Sequence, residues 1–249
     1  MTAKLYVVPA SHPCATVAAA LDLKGLPYRR VELVPAFHKA HQKARFGRGT
    51  VPGIVFADGR RVAGSRAIVR AIEERRPDPP LFPADTESRR RVEEAEEWGD
   101  QTLQPLVRRL LWHGLSQNTG AQLSYLDGAK LVPPVPTVLA RLSGGAVAAL
   151  ERRFNAVDEG AVRADLLHLP FHLERIDRWI EQDVLGTGAL PNAADLQVAS
   201  GVRLLLTMED LAPLIDPRPA GEHARRWFPD YPGRTPSGTI SASWLPAAA

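Results

Sequence analysis

Apolar and polar positions change their spacing along this chain, and the changes mark out a series of elements. Residues 4–8 (Lys-Leu-Tyr-Val-Val) are a short β-rich run closed by Pro9 and predict a buried strand. Residues 14–24 follow with helical spacing: Val17, Ala18, Ala20 and Leu21 make one apolar face, and Gly25 stands where a helix-ending glycine belongs. Residues 28–33 return to a strand pattern. A strand, a helix of about three turns and a second strand imply a parallel pair. Residues 37–46 are weakly helical. Ile54-Val55-Phe56 and Arg61-Val62-Ala63 flank Ala57-Asp58-Gly59-Arg60, and Asp-Gly between two apolar runs predicts a hairpin. Ser65 opens a helix through Ile68, Val69 and Ile72 that ends before Pro77.

Strand patterns then stop. Residues 77–84 (Pro-Asp-Pro-Pro-Leu-Phe-Pro-Ala) are stiff and proline-rich, and the domain boundary is expected there. Beyond it, Val92, Ala95, Gly99, Leu103, Leu106 and Leu110 share a helical stripe that Pro105 must kink or interrupt. Residues 115–136 have little periodicity and predict a loop or broken helix. Helices are expected over 138–157, 166–184 and 193–208, and the tail from Phe228, rich in Pro, Gly and Ser, is expected to wrap over the surface. The division is therefore 1–76, a small α/β domain; 77–84, a linker; and 85–249, an all-helical domain with an irregular tail.

Composition narrows the function classes. No apolar run nears the ~18–20 residues of a membrane helix. The N-terminus enters its first strand without a signal-like pattern, so the expected location is cytoplasmic, with no membrane partner. Cys14 is the single cysteine, which rules out an intramolecular disulfide. The formal charge of +3 is spread over scattered Arg pairs. The triplet Arg89-Arg90-Arg91 faces Glu93, Glu94, Glu96 and Glu97 one turn on, which predicts an ion-paired solvated helix face and no nucleic-acid partner. The histidines at 168 and 172 are i,i+4 but have Pro170 between them and no nearby acidic or Cys partner, so no metal is expected.

Chemistry concentrates at Ser11-His12-Pro13-Cys14, between the first strand and first helix. Backbone N–H groups and the helix dipole point there, and Pro13 suits the first helical turn. By itself this junction fits a plain Ser11 cap and an inert Cys14 better than it fits a site. The sequence around it adds more. Leu5-Tyr6 precedes Ser11-His12-Pro13-Cys14; Lys24-Gly25-Leu26-Pro27-Tyr28, Thr50-Val51-Pro52-Gly53-Ile54, Gly64-Ser65-Arg66-Ala67-Ile68 and Leu190-Pro191-Asn192-Ala193-Ala194-Asp195 follow in order. In that order the chain resembles the glutathione S-transferase superfamily over nearly its whole length.

The resemblance implies a thioredoxin-like domain followed by an all-helical one, and a thiol co-substrate, glutathione or another low-molecular-weight thiol. It implies a small-molecule electrophile between the domains and a homodimer. Ser11 would donate to the thiol sulfur and favour the thiolate. Lowering a thiol by about two pK units takes roughly 2.7 kcal/mol, which one charge-assisted hydrogen bond and a helix N-terminus can supply. Val51, before a cis Pro52, would pair with the thiol's peptide backbone, and Ser65 would hold its γ-glutamyl carboxylate. Gly64 departs from the pattern, which has Glu or Gln there. Losing such a partner costs about 1.5–3 kcal/mol, a ten- to hundredfold weakening. The alternative is a non-catalytic scaffold with a degenerate thiol site. Asn192 and Asp195 fit a helix capping box. Trp112 and His113 are candidates for the electrophile pocket. His41, Lys43 and Arg48 could hold a terminal carboxylate, but solvated surface charge explains them better. Cys14 sits three residues after Ser11, where no internal dithiol can form, and is expected buried.

Overall fold

The computed structural model describes residues 2–186 and 188–246. Strand β1 (Ala3–Val7), helix α1 (His12–Leu23) and strand β2 (Tyr28–Leu33) form the expected parallel βαβ unit. Lys24 caps α1, and Gly25 follows at φ +57°, the left-handed value a side chain disfavours. Helix α2 (His38–Phe46) leads to the hairpin of β3 (Gly53–Val55) and β4 (Arg61–Ala63), whose antiparallel register pairs Ile54 with Val62. β3 lies antiparallel to β1, and α3 (Ser65–Arg75) closes the unit.

The sheet order is β4-β3-β1-β2-β5, and its fifth strand is unexpected. β5 is Leu131–Val132, inside the segment whose pattern predicted loop or broken helix, and it extends β2 in parallel. Two residues are too few to leave a period-two signature. The rest of that segment is partly helical, a 3₁₀ stretch over Thr119–Leu126.

The helical part begins with α4 (Thr86–Trp98) and α5 (Gln104–Gln117), joined by a π-helical turn over Gly99–Leu103. This turn is how the helix accommodates Pro105, which sits in the first turn of α5, where its missing N–H leaves no partner unsatisfied. α6 (Thr137–Phe154) and α7 (Glu159–Glu181) follow; α7 starts seven residues before its expected start at 166 and carries Pro170 inside it. α8 (Ala193–Leu205), α9 (Ala212–Ile215) and α10 (Pro219–Trp227) complete the set. α8 is buried on every side, with Leu196, Val198, Ala199 and Val202 each about fully enclosed, as a central helix must be. It packs on α1, α4, α5 and α10. The side-chain oxygen of Thr16 on α1 reaches the Leu196 carbonyl at 3.0 Å and the Ser200 hydroxyl at 2.9 Å. Buried Glu96 of α4 accepts from Arg66 (3.2 Å) and Arg70 (2.5 Å) of α3, stitching the sheet unit to the helices.

The Arg triplet follows its spacing in part: Arg89 pairs with Glu93 and Arg90 with Glu87 and Glu94, whereas Arg91 donates to Gln182, Glu96 is buried against Arg66 and Arg70, and Glu97 pairs with Arg66. The tail differs from its expected surface path. Thr235, fully buried, bridges Met208 and shares the Tyr125 hydroxyl with Thr207, each at 2.8 Å. Polar and small residues hid this, because they are held by hydrogen bonds and not by an apolar stripe. No helix among the described residues is long and apolar enough to cross a membrane.

Candidate active site

The loop between β1 and α1 reaches the cleft between sheet and helices. Ala10 sits at φ +57° without being glycine, and its carbonyl accepts from the Tyr231 hydroxyl at 2.9 Å, so the tail braces this loop. Ser11 is the N-cap of α1 in extended conformation; its half-buried side chain makes no capping bond and lies in the cleft wall, in hydrogen-bond reach of the Cys14 thiol. Its carbonyl accepts from the Cys14 and Ala15 N–H groups.

Two recesses meet here. One is apolar, about 270 Å³, lined by Ser11, His12, Leu111, Trp112, Tyr125 and Phe154 among others. The other is polar, about 320 Å³ of more open space around the N-terminus of α3, with Gly64, Ser65, Arg66, Arg48, Asp100 and Gln104 in its wall. Pro13, Thr50, Val51 and Arg108 belong to both. The structure thus brings Ser11, Val51, Gly64 and Ser65 around one continuous space, with Pro52 buried directly behind Val51. The Val51-Pro52 bond is cis, and the N–H and C=O of Val51 take no partner among the described residues. Pro52's carbonyl accepts instead from Gly64 N–H at 3.0 Å, locking the turn to the start of α3.

Gly64 has φ +91°, and a Cβ there would meet only Arg48 Nη1 at 3.6 Å. Backbone conformation rather than space therefore favours glycine. A carboxylate nevertheless enters the polar recess from the helical side, that of Asp100 in the π-helical turn. Gln104 Nε2 donates to Asp100 Oδ1 (2.9 Å) and to the buried Ser65 hydroxyl (3.2 Å), while Arg108 Nη1 donates to Gln104 Oε1 (3.1 Å). Asp100, Gln104 and Arg108 were not legible as site residues. Their spacing is ordinary helical spacing, and only the π turn swings Asp100 and Gln104 toward α3.

Burial sets the protonation states. Cys14, buried, is pushed up to about 11 by desolvation; the Ser11 side chain, the Val8 main chain and Arg30 pull the other way and lose. It stands as a neutral thiol, as its expected burial implies. His12, 2 % exposed, is held well below the usual imidazole range by burial and then by Arg108. Burial, then Lys39, pushes His38 down to about 4. Because His38 in the unfolded chain protonates near 6.5, its stabilising contribution is complete above that pH and is lost as pH falls toward 4. Stability at pH 5 should thus be about 2 kcal/mol lower than at pH 7 from this group alone. Denaturant midpoints across that range, compared with His38→Gln, check it; an identical acid slope in the variant would contradict the assignment.

Of the remaining sequence candidates, Trp112 and Arg48 line the recesses. His113 is buried against Trp244 with ring centroids 5.7 Å apart, and His41 packs on Tyr6 at 5.2 Å. Lys43 is exposed. Among the described residues no group of His, Cys, Asp or Glu could hold a metal ion.

Comparison with known proteins agrees with this fold. Residues 5–80 match the family described as glutathione S-transferase, N-terminal domain. No curated protein matches the chain in sequence. Solved structures with the same fold include a glutathione S-transferase from Rhodospirillum rubrum F11 at 21 % identity, covering 96 % of this chain and 99 % of that one, TM-score 0.59. Beta-etherase LigF from Sphingobium sp. strain SYK-6 (19 % identity, 91 % and 99 % covered, TM-score 0.61) and FzlA from C. crescentus (18 %, 92 % and 86 %, TM-score 0.57) share it too. A sheet unit that matches the glutathione S-transferase N-terminal domain over residues 5–80, followed by helices arranged as in these structures, gives the chain the fold of glutathione S-transferases.

Proposed function

We propose that the chain is a glutathione S-transferase-like enzyme that joins a low-molecular-weight thiol to an electrophilic small molecule, with Ser11 favouring the thiolate. The observation that carries this reading is Ser11, uncommitted to capping at the N-terminus of α1, in the wall of a cleft that shares Pro13, Thr50, Val51 and Arg108 with a polar recess. The donor set suits a peptide thiol. The open main-chain groups of Val51 match an extended peptide, and Ser65 with the first N–H groups of α3 suits a carboxylate. Asp100 suits an ammonium, which offsets the missing acid at Gly64. Glutathione has all three groups.

A bound thiol supplies the nucleophilic sulfur. Ser11 donates its O–H to that position, and the first N–H groups of α1 add positive potential. Arg108, in the wall of both recesses, contributes a fixed positive charge where negative charge gathers. The apolar cleft holds the electrophile and excludes water. A homodimer in the cytoplasm belongs to the same reading.

Calorimetric titration with glutathione and other cellular thiols, with the sulfur followed by thiolate absorbance, tests it. Wild type should bind with a sulfur pKa about two units below ~8.5, and Ser11→Ala should raise it by one to two units. Absence of any thiol binding at millimolar concentration sinks the enzyme reading and leaves a ligand-binding scaffold. Binding with an unchanged sulfur pKa in Ser11→Ala removes the role of Ser11 alone.

A further inference from the structure

The wall of the apolar cleft far from the polar recess carries polar atoms that thiol activation does not use. Glu151, on the inner face of α6, is 3 % exposed, and its two carboxylate oxygens are unequal. Oε2 accepts from Asn155 Nδ2 at 3.1 Å and has Lys39 Nζ at 3.7 Å. Oε1 is buried with no hydrogen-bond partner among the described residues. His38, 8 % exposed, repeats the pattern through its Nδ1. Both residues line the cleft beside Trp112 and Phe154. An open buried acceptor is expensive, so one found in the wall of a ligand cleft marks where a donor arrives.

Charge decides which donor. Lys39 already sits beside Glu151, and Arg108 is close enough to feel its charge. His38 is neutral at pH 7 and adds none. An ammonium head would therefore bring surplus positive charge to a site with two cations and one anion, whereas a neutral O–H satisfies Oε1 without disturbing that balance. The surrounding rings and the Lys39–Phe154 contact, 4.4 Å to the ring centroid, favour an aromatic body over an alkyl chain.

Resting on the reading of this cleft as the seat of the second substrate, we propose that the electrophile is an aryl compound bearing a free hydroxyl, held by donation to Glu151 Oε1. His38 lies alongside as a second polar contact for the same oxygen. Phe154 and Trp112 flank the ring.

The test uses the full chain without any thiol and three naphthalene probes: naphthol, its methyl ether, and naphthylmethylammonium. Binding is followed by quenching of tryptophan fluorescence. Naphthol should bind at least about tenfold more tightly than the ether, the scale of one hydrogen bond to a charged acceptor. Glu151→Gln, which keeps the shape, should cut that preference to about threefold or less, and Glu151→Ala should abolish it, with the affinity for the ether unchanged within about twofold. Equal binding of naphthol and ether to wild type overturns the proposal. So does no binding of either, tightest binding by the ammonium probe, or a preference that survives Glu151→Gln. Because thiol is absent, failure here is distinct from failure of the transferase reading: a chain that binds thiol but ignores the hydroxyl loses only this proposal.

Discussion

Glu73→Ala is expected to lower the unfolding free energy by about 3–5 kcal/mol, because it strands a buried cation. Lys24, the C-cap of α1, has a fully buried side chain. Its ammonium donates to Glu73 on α3, to the Pro77 carbonyl at 3.0 Å and to the Pro79 carbonyl at 2.5 Å. Glu73 in turn accepts from Leu81 N–H at 3.2 Å, so one ion pair fixes the proline-rich segment against both helices. The two partners are not equivalent. Glu73 keeps 19 % of its side chain in solvent and retains the Leu81 donor if Lys24 is replaced. Lys24 has no water to fall back on. Glu73→Ala should therefore destabilise more than Lys24→Met, whose apolar stem refills most of the site. Chemical denaturation of both variants checks the order, and the reverse order would mean that the lysine is not the desolvated partner. This segment leads directly into α4, so loosening it should also loosen the approach of Asp100 and Gln104 to α3.

That cluster shows what the sequence could and could not disclose. Gly25, the Asp-Gly hairpin and the stiff run at 77–84 act locally, through φ preferences and missing N–H groups, and each left a readable signature. Ser11 stood out locally only as a strand-to-helix junction, and the roles of Ser11, Val51 and Ser65 were legible through the resemblance to glutathione S-transferases, since their meeting at adjoining recesses depends on the whole fold. Residues that act across the chain left no such mark. Lys24 reads as a surface lysine at a helix end, and Glu151 as one more charge near Arg152 and Arg153; burial alone gives them their meaning. Asp100 lies within the π turn and Gln104 directly follows it, an insertion of backbone geometry that no residue pattern announces. Tyr231 and Thr235 lie in a segment whose composition suggested surface, yet the one braces the Ser11 loop and the other the central helix's end.

Asp195→Ala should cost about 3–5 kcal/mol, for reasons only half written in the sequence. The capping box is present: Asn192 accepts from Asp195 N–H at 3.0 Å, and Asp195 Oδ2 accepts from Asn192 N–H at 2.7 Å. A surface cap of this kind would contribute about 1 kcal/mol. Here the carboxylate is fully buried, its Oδ1 also accepts from Gly186 N–H at 2.8 Å, and His223 Nε2 of α10 lies 3.0 Å away. Burial raises the Asp195 carboxyl above the usual range, with His223 and the two N–H donors pulling it back. Removing it orphans the part-buried N–H groups of Asn192 and Gly186 and leaves the buried His223 imidazole without its carboxylate neighbour, each at about 1–3 kcal/mol. Asp195→Asn keeps one acceptor oxygen and should cost roughly half as much. Denaturant midpoints at unchanged m-value measure both; a loss under about 1 kcal/mol for Asp195→Ala would reduce the residue to an ordinary cap. The consequence reaches the cleft, because α8 holds α1 through the Leu196 and Ser200 contacts of Thr16. A frayed α8 releases the helix whose N-terminus presents Ser11, so Asp195→Ala should weaken thiol binding even at temperatures where the fold survives.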